Sequence, residues 1–363
     1  MKALSLYIHI PFCARKCHYC DFYSLESLRD HTLYTLAACN SIKNALGERK
    51  NDYLVKTIYF GGGTPNFLPP KDLARLMTCI NENYHIDEQA EISIEINPEF
   101  SNSIETLSSL KKIGFNRLSI GIQSLDDDAL KMLGRIHNAD TAIRCIKNAK
   151  KIFDNISVDI IYAIPGQDKS SVEKTLKQVY DLKPQHISAY NLTAEEGTLY
   201  ATMLKNGELT AQSENAELEH FYTIHNLLRE KGYHHYEISS YALNDRESKH
   251  NSSYWTDQDY LGIGPSAHSR IGQHRYAFDA DLKAFIKDPS HFHSKDDITE
   301  ADTLITRLRR SKGLYKHDIS PGGWEKLSAY QQKHNDWLIH DHNTIKCTLK
   351  GWLLLDTILL DLM

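Results

Sequence analysis

Apolar and polar positions follow two alternating periods from the first residues to about residue 200. Short runs rich in Ile, Val and Tyr, bounded by Gly, Pro, Asn or Asp, predict strands at Leu4–Ile10, Thr57–Phe60, Glu91–Ile96, Arg117–Ile122, Ser157–Ile164 and His186–Leu192. Between them, helical periodicity covers Leu25–Leu46, Pro70–Asn83, Ser103–Ile113, Ala139–Phe153 and Ser170–Leu182. Pro70 suits a first helical turn, and Ala142, Ile143 and Ile146 make one apolar face. Strands alternating with helices predict a parallel α/β fold. Six strands are fewer than the eight of a closed barrel, which allows an open sheet or a partial barrel.

In both architectures the reactive site lies at the C-terminal ends of the strands. The unusual residues fall there. A loop with three cysteines follows the first strand, Gly61-Gly62-Gly63-Thr64-Pro65 the second, and Glu95, Asn97 and Pro98 end the third. Gly121, Gln123 and Ser124 end the fourth. The fifth carries Asp159 in an apolar run, and the sixth ends at Tyr190-Asn191-Leu192-Thr193.

Beyond Thr193 the pattern changes. Glu208–Lys231 has helical character, followed by a stretch dense in aromatic and histidine residues from Tyr233 to Tyr241. Lys249-His250-Asn251-Ser252-Ser253-Tyr254-Trp255 and the small-residue run Gly262-Ile263-Gly264-Pro265-Ser266-Ala267-His268 come next. The chain is polar near residue 290, helical again from Thr299, and ends in a compact helical or winged-helix-like module. The expected division is 1–210, 211–290 and 291–363: a barrel, a covering segment and a C-terminal domain.

Composition changes this picture little. The 363 residues allow a large core; 41% hydrophobic and 25% charged residues are ordinary for a globular protein. A net charge of −5 carries no basic footprint for nucleic acid. No signal peptide is visible and no apolar run approaches the ~18–20 residues of a membrane span, so a cytoplasmic protein is expected. Seven cysteines, an odd number, suit a reducing compartment in which clustered thiols are metal ligands more often than disulfides.

Three of the seven, Cys13, Cys17 and Cys20, lie within eight residues. A four-iron cluster normally takes four thiolates, so three would leave one iron open and reactive. A zinc site completed by a distant Cys or His, or a disulfide knot, fits the same spacing. Cys39, Cys79, Cys145 and Cys347 are scattered and read as small buried hydrophobes. Three successive glycines allow a ligand to approach the backbone, or make a flexible turn. Glu95 and Asp159 are carboxylates in inner strands; they suit ribose hydroxyls or an ammonium group, or pair with Arg117 and Arg135. Of nineteen histidines, His250 has polar and aromatic neighbours that suit a haem ligand, or it forms a hydrogen-bonded turn.

On these residues the chain resembles the radical S-adenosylmethionine superfamily, in the branch of oxygen-independent coproporphyrinogen III oxidases and their relatives. The motifs are Tyr7-Ile8-His9-Ile10-Pro11-Phe12-Cys13 with Cys17 and Cys20, Phe60-Gly61-Gly62-Gly63-Thr64-Pro65, Glu91-Ile92-Ser93-Ile94-Glu95, Arg117 to Gln123, Leu133-Gly134-Arg135 and Asp159-Ile160-Ile161-Tyr162. The resemblance implies a partial (β/α)6 barrel with a [4Fe–4S] cluster on Cys13, Cys17 and Cys20. S-adenosylmethionine would occupy the fourth iron and be cleaved by one electron to methionine and a 5′-deoxyadenosyl radical. Its contacts would fall on Tyr7, Gly62, Gly63, Thr64, Glu95, Gln123, Arg135 and Asp159, with a further one near Thr193 or His268.

The decarboxylating oxidase has a fourth cysteine where this chain has Phe22, and a long extension where only twelve residues precede Cys13. Cys20-Asp21-Phe22 and His250-Asn251-Ser252-Ser253-Tyr254-Trp255 instead resemble the HemW-type haem chaperones, which nominates His250 for haem. Ala163 stands where that group has glycine, Glu196 where it has proline, and Pro265-Ser266 interrupts a glycine-rich stretch. The resemblance implies haem or porphyrin, a haem-accepting protein, a reductant such as a flavodoxin or ferredoxin, and a homodimer among its partners. A coproporphyrinogen-decarboxylating enzyme and a radical methyltransferase are the alternative functions, and no catalytic residue is assigned.

Overall fold

The computed structural model describes residues 1–292 and 294–362. Six strands run parallel and in chain order: β1 (Lys2–Ile10), β2 (Tyr53–Gly62), β3 (His85–Ile96), β4 (Arg117–Gln123), β5 (Ile156–Tyr162) and β6 (His186–Asn191). Each has two faces because successive side chains point opposite ways. In β1, Leu4, Leu6, Ile8 and Ile10 are buried, whereas Tyr7 and His9 line a cavity. Helices α1 (His31–Asn44), α2 (Pro70–Asn83), α3 (Ile104–Ile113), α4 (Asp127–Met132), α5 (Ala139–Ala149) and α6 (Lys169–Asp181) fill the connections. Ser103, Asn138 and Asp168 cap α3, α5 and α6 by accepting backbone N–H groups.

The expected elements are all present, and the differences have local causes. The helix expected from Leu25 starts at His31, because Leu25 pairs its main chain with Pro11 and Cys13 at 2.8 and 2.9 Å. Strand β5 stops at Tyr162 because Ala163 turns into the left-handed region at φ 60°. β2 and β3 begin earlier than expected, across a register shift between Val55 and Thr57.

Later residues extend both edges of this sheet. After α7 (Leu199–Lys205) and α8 (Glu214–Glu230), β8 (Ser240–Ala242) adds antiparallel to β6, and β7 (His234–Glu237) antiparallel to β8. After α9 (Lys249–Tyr254), β9 (Asp259–Ile263) pairs parallel with β1, with Leu4 opposite Asp259. β10 (His268–Ile271), β11 (His274–Ala277) and β12 (Ser294–Asp297) continue outward, giving a twelve-stranded sheet. The short α10 (Leu282–Lys287) packs on α1 through Phe285 and Tyr34.

The C-terminal part has its own core, including Leu308, Leu314, Leu327, Leu338, Ile345 and Ile358. Helices α11 (Glu300–Leu308), α12 (Pro321–Lys333), α13 (Leu349–Leu353) and α14 (Leu355–Leu362) surround a sheet of β13 (Leu314–Tyr315), β15 (Thr344–Cys347) and β14 (Leu338–Asp341). This is a winged-helix-like arrangement. It is tied to the barrel by Arg307, which donates to Asp257 at 2.6 Å, and by Trp352 against His235 at 4.6 Å. No described helix is long and apolar enough to cross a membrane.

Candidate functional site

The cysteine loop is pinned at the mouth of the barrel by its own main chain. Gly63 N–H donates to Ile10 and Thr64 N–H to Phe12, each at 2.8 Å, which lays the glycine turn alongside the loop. A Cβ on Gly63 would stand 2.7 Å from the Phe12 carbonyl and 3.0 Å from Cys13 Sγ, so only glycine keeps that space clear. Gly62 sits at φ 112°, where a Cβ would meet the His9 ring at 2.6 Å. Thr64 Oγ1 lies 3.4 Å from Cys13 Sγ, and Arg135 Nη1 donates to Cys17 Sγ at 3.3 Å.

Cys13, Cys17 and Cys20 are free thiols that line one cavity of about 850 Å³. Burial raises the Cys13 thiol, and raises Cys20 to about 11. A coordinating cation reverses that preference by deprotonating its ligands. Among the described residues, no three His, Cys, Asp or Glu side chains gather closely enough to hold a single metal ion. Three thiols on one loop are the donor type that a four-iron cluster takes, each ligand on a separate iron.

The barrel interior supplies the polar wall. Glu95 accepts the Tyr59 hydroxyl at 2.8 Å and the Gly62 N–H at 3.1 Å. Asp159 accepts Ser119 and Ser157 hydroxyls at 2.9 and 3.2 Å. Arg135 Nη2 donates to Asn97 Oδ1 and to the Gly121 carbonyl, both at 2.8 Å, and Asn97 donates to Thr64. Gln123 adopts φ 64° beside a register shift in β4, which turns it into the cavity. Thus Tyr7, Gly62, Gly63, Thr64, Glu95, Gln123, Arg135 and Asp159 all line the cavity that holds the three cysteines, and so do Thr193 and His268.

His250 does not reach it. The ring is wholly buried, with Nδ1 2.8 Å from Thr57 Oγ1 and Nε2 2.8 Å from the Tyr254 hydroxyl. It stacks on Tyr59 with centroids 4.9 Å apart. Burial, then the nearby Arg117, lowers it to about 3, so it stays neutral. It anchors α9 against the sheet, and the cavity receives Asn251, Tyr254 and Trp255 from that motif instead.

Three lining residues were given no role from the sequence: Tyr59, Ser119 and Ser188. Each lies on an expected strand two positions from Gly61, Gly121 or Tyr190, so the period-2 rule applied along those strands finds them. Arg117, expected as a carboxylate partner, lies beside Glu91. It is 1% exposed, and Glu91 Oε2 lies 3.9 Å from its Nε.

The buried carboxylates give the protein's stability a pH dependence. Burial raises Glu95 to about 7 and also raises Asp159. A carboxyl raised on folding contributes most below its unfolded value near 4.5 and loses that contribution as pH climbs through about 7. Between those limits the ligand-free protein should lose on the order of 3 kcal/mol that Glu95→Gln retains. Urea unfolding of both proteins at pH 5 and pH 8 measures this, and equal pH dependence would contradict it.

Comparison with known proteins agrees with this geometry. The model of the radical SAM superfamily matches residues 7–179. The mitochondrial radical S-adenosyl methionine domain-containing protein 1 of Danio rerio is 34% identical, over 98% of this chain and 86% of its own. The heme chaperone HemW of Bacillus subtilis is 36% identical over 86% and 85%, and that of Lactococcus lactis 34% identical over 97% and 95%. The solved coproporphyrinogen III oxidase of Escherichia coli, described as a radical SAM enzyme, is 25% identical and superposes with a TM-score of 0.83 over 99% of this chain and 90% of its own. With its cysteine loop, glycine turn and inner carboxylates assembled at one barrel mouth, the chain belongs to the radical S-adenosylmethionine superfamily, in the HemW-type branch.

Proposed function

We propose that the protein is a haem chaperone, which binds haem and passes it to an acceptor protein, on a scaffold that holds a [4Fe–4S] cluster and S-adenosylmethionine. The observation that carries this is a cavity of about 850 Å³ lined by chemically different groups. Its lining combines the three cysteines and the carboxylates Glu95 and Asp159 with the aromatic residues Tyr7, Tyr254, Trp255 and Tyr260. The similarity to HemW proteins over nearly the whole chain supports the same function.

Cys13, Cys17 and Cys20 hold the cluster, which when bound supplies an electron to the sulfonium. Glu95 and Asp159 accept hydroxyl donors such as those of a ribose. The N–H groups of Gly62 and Gly63 are engaged by Glu95 and Ile10, which fixes the glycine turn at the cavity. Arg135, whose charge is favoured by Tyr19, Cys17 and Glu99 despite burial, counters thiolate charge beside Cys17. A small reducing protein such as a flavodoxin or ferredoxin would deliver the electron.

Decarboxylation of coproporphyrinogen III is disfavoured by Phe22. It stands 62% exposed at the cavity, where that enzyme pattern has cysteine. Haem titration followed at the Soret band tests the proposal. Saturable binding, with no protoporphyrinogen formed in an anaerobic assay, is expected. Absence of saturable binding would remove the chaperone function.

A further inference from the structure

We propose that Cys39 and Cys79 form a reversible redox site, closed to an intramolecular disulfide by exchange with a small disulfide of the glutathione type. The site is independent of haem binding, because both thiols sit on α1 and α2, outside the cavity.

The four cysteines outside the loop were all expected to be small buried hydrophobes, and two of them are. Cys145 and Cys347 are buried, and burial raises each thiol to about 12. Cys145 also donates to the Ser101 carbonyl at 3.1 Å. A buried thiol so raised is inert. Cys39 and Cys79 differ, because both are partly exposed and they meet where α1 packs on α2.

That meeting is fixed by the fold. α1 and α2 each follow a strand of the same parallel sheet, so they run side by side in one direction. At the start of the pair, His31 Nδ1 lies 2.7 Å from Asp72 Oδ2. At its end, the Tyr84 hydroxyl donates to the Ile42 carbonyl at 3.0 Å. Between these two ties, Cys79 Sγ donates to the Cys39 carbonyl at 3.4 Å, and the two thiols are within hydrogen-bonding reach of each other. A disulfide there would join α1, which follows the cysteine loop, to α2, which follows the glycine turn.

The surroundings make Cys39 the attacking sulfur, since the thiolate is the nucleophile. The hydrogen bond from Cys79 lowers Cys39; burial opposes this, Arg75 adds to it, and Glu82 is the opposing charge. The same hydrogen bond, then burial and the Cys39 charge, raises Cys79. The Cys39 thiolate attacks one sulfur of oxidised glutathione, forming a mixed disulfide as the glutathione S–S bond breaks. The first glutathione leaves as a thiolate and takes up the proton that Cys39 released. With Cys39 capped, neither its charge nor its hydrogen bond holds the Cys79 proton. Cys79 loses that proton to water and attacks Cys39 Sγ, which closes the protein disulfide and releases the second glutathione. Two electrons pass from the protein dithiol to the glutathione disulfide, and excess reduced glutathione reverses the exchange.

The test uses the full chain reconstituted anaerobically with its cluster. Wild type, Cys39→Ser and Cys79→Ser are equilibrated in glutathione buffers of graded redox ratio. Free thiols are then alkylated and the peptides mapped by mass spectrometry. Iron content, followed in parallel, separates this site from oxidation of the cluster loop, and Cys145 and Cys347 serve as unreactive internal controls. Wild type should gain a Cys39–Cys79 disulfide that reduced glutathione reopens. Cys79→Ser should trap glutathione on Cys39, and Cys39→Ser should react about tenfold more slowly at Cys79. A wild type whose two thiols stay free in the most oxidising buffer, or pair only between molecules, overturns the site. Trapping on Cys79 as fast as on Cys39 overturns the order of attack.

Discussion

Replacing any one of Cys13, Cys17 or Cys20 with alanine should abolish the iron–sulfur cluster while leaving the fold intact. With three thiolates available, losing one leaves two, and no other cysteine lines the cavity to replace it. Iron and acid-labile sulfide should fall to background after anaerobic reconstitution. Far-UV circular dichroism should match wild type, because the loop is held by main-chain bonds from Leu25, Ile10 and Phe12 and not by its thiols. Alanine at Cys39, Cys79, Cys145 or Cys347 should leave the iron content unchanged. A loop variant that retains full iron would mean that the ligand set is wrong.

The largest effect on stability is expected at Glu91. Its side chain is 4% exposed and lies beside the 1% exposed Arg117. It also accepts the N–H groups of Lys249 and His250 at 3.2 and 3.0 Å, fastening the first turn of α9 to β3. Glu91→Ala leaves a buried guanidinium without its counter-charge, and the buried His250 N–H and part-buried Lys249 N–H without acceptors. Breaking a buried pair from one side costs about 3–5 kcal/mol. Glu91→Gln keeps acceptor oxygen and shape, so it should cost less. Urea unfolding near neutral pH measures both, and a loss below about 1 kcal/mol for alanine would show that Arg117 is satisfied elsewhere.

The barrel was legible because its inner strands are buried on both faces and bounded by glycine, proline or polar residues. The site was legible for a related reason. In a parallel sheet the strand C-termini converge, so residues as far apart as Cys13, Gly63, Glu95, Gln123 and Asp159 had to meet. Less legible was which way a motif faces. The run from His250 to Trp255 names a polar and aromatic segment, but its helical turn puts the imidazole in the core and Tyr254 at the cavity. The parallel pairing of β9 with β1 joins residues more than 250 positions apart, and no local period carries that information. Edge strands β7, β8, β10 and β11 are three or four residues long, too short for a period to register.

Two departures from the family pattern have structural meaning. Ala163 and Ser266 occupy φ 60° and 65°, the left-handed region where glycine is unstrained. Both lie at the end of a sheet strand or just beyond it, next to cavity-lining residues Ile161 and His268. The backbone path expected for glycine is kept although the residue is not glycine. At both positions a side chain is held in the left-handed region, at a local cost in strain.

The central claim is that one barrel mouth holds a three-cysteine cluster open to S-adenosylmethionine. Anaerobic reconstitution of wild type, reduction, and electron paramagnetic resonance with and without S-adenosylmethionine test it directly. A reduced-cluster signal whose shape changes when S-adenosylmethionine is added is the predicted result. A cluster signal unmoved by S-adenosylmethionine would contradict the open coordination position, and with it the account of the site.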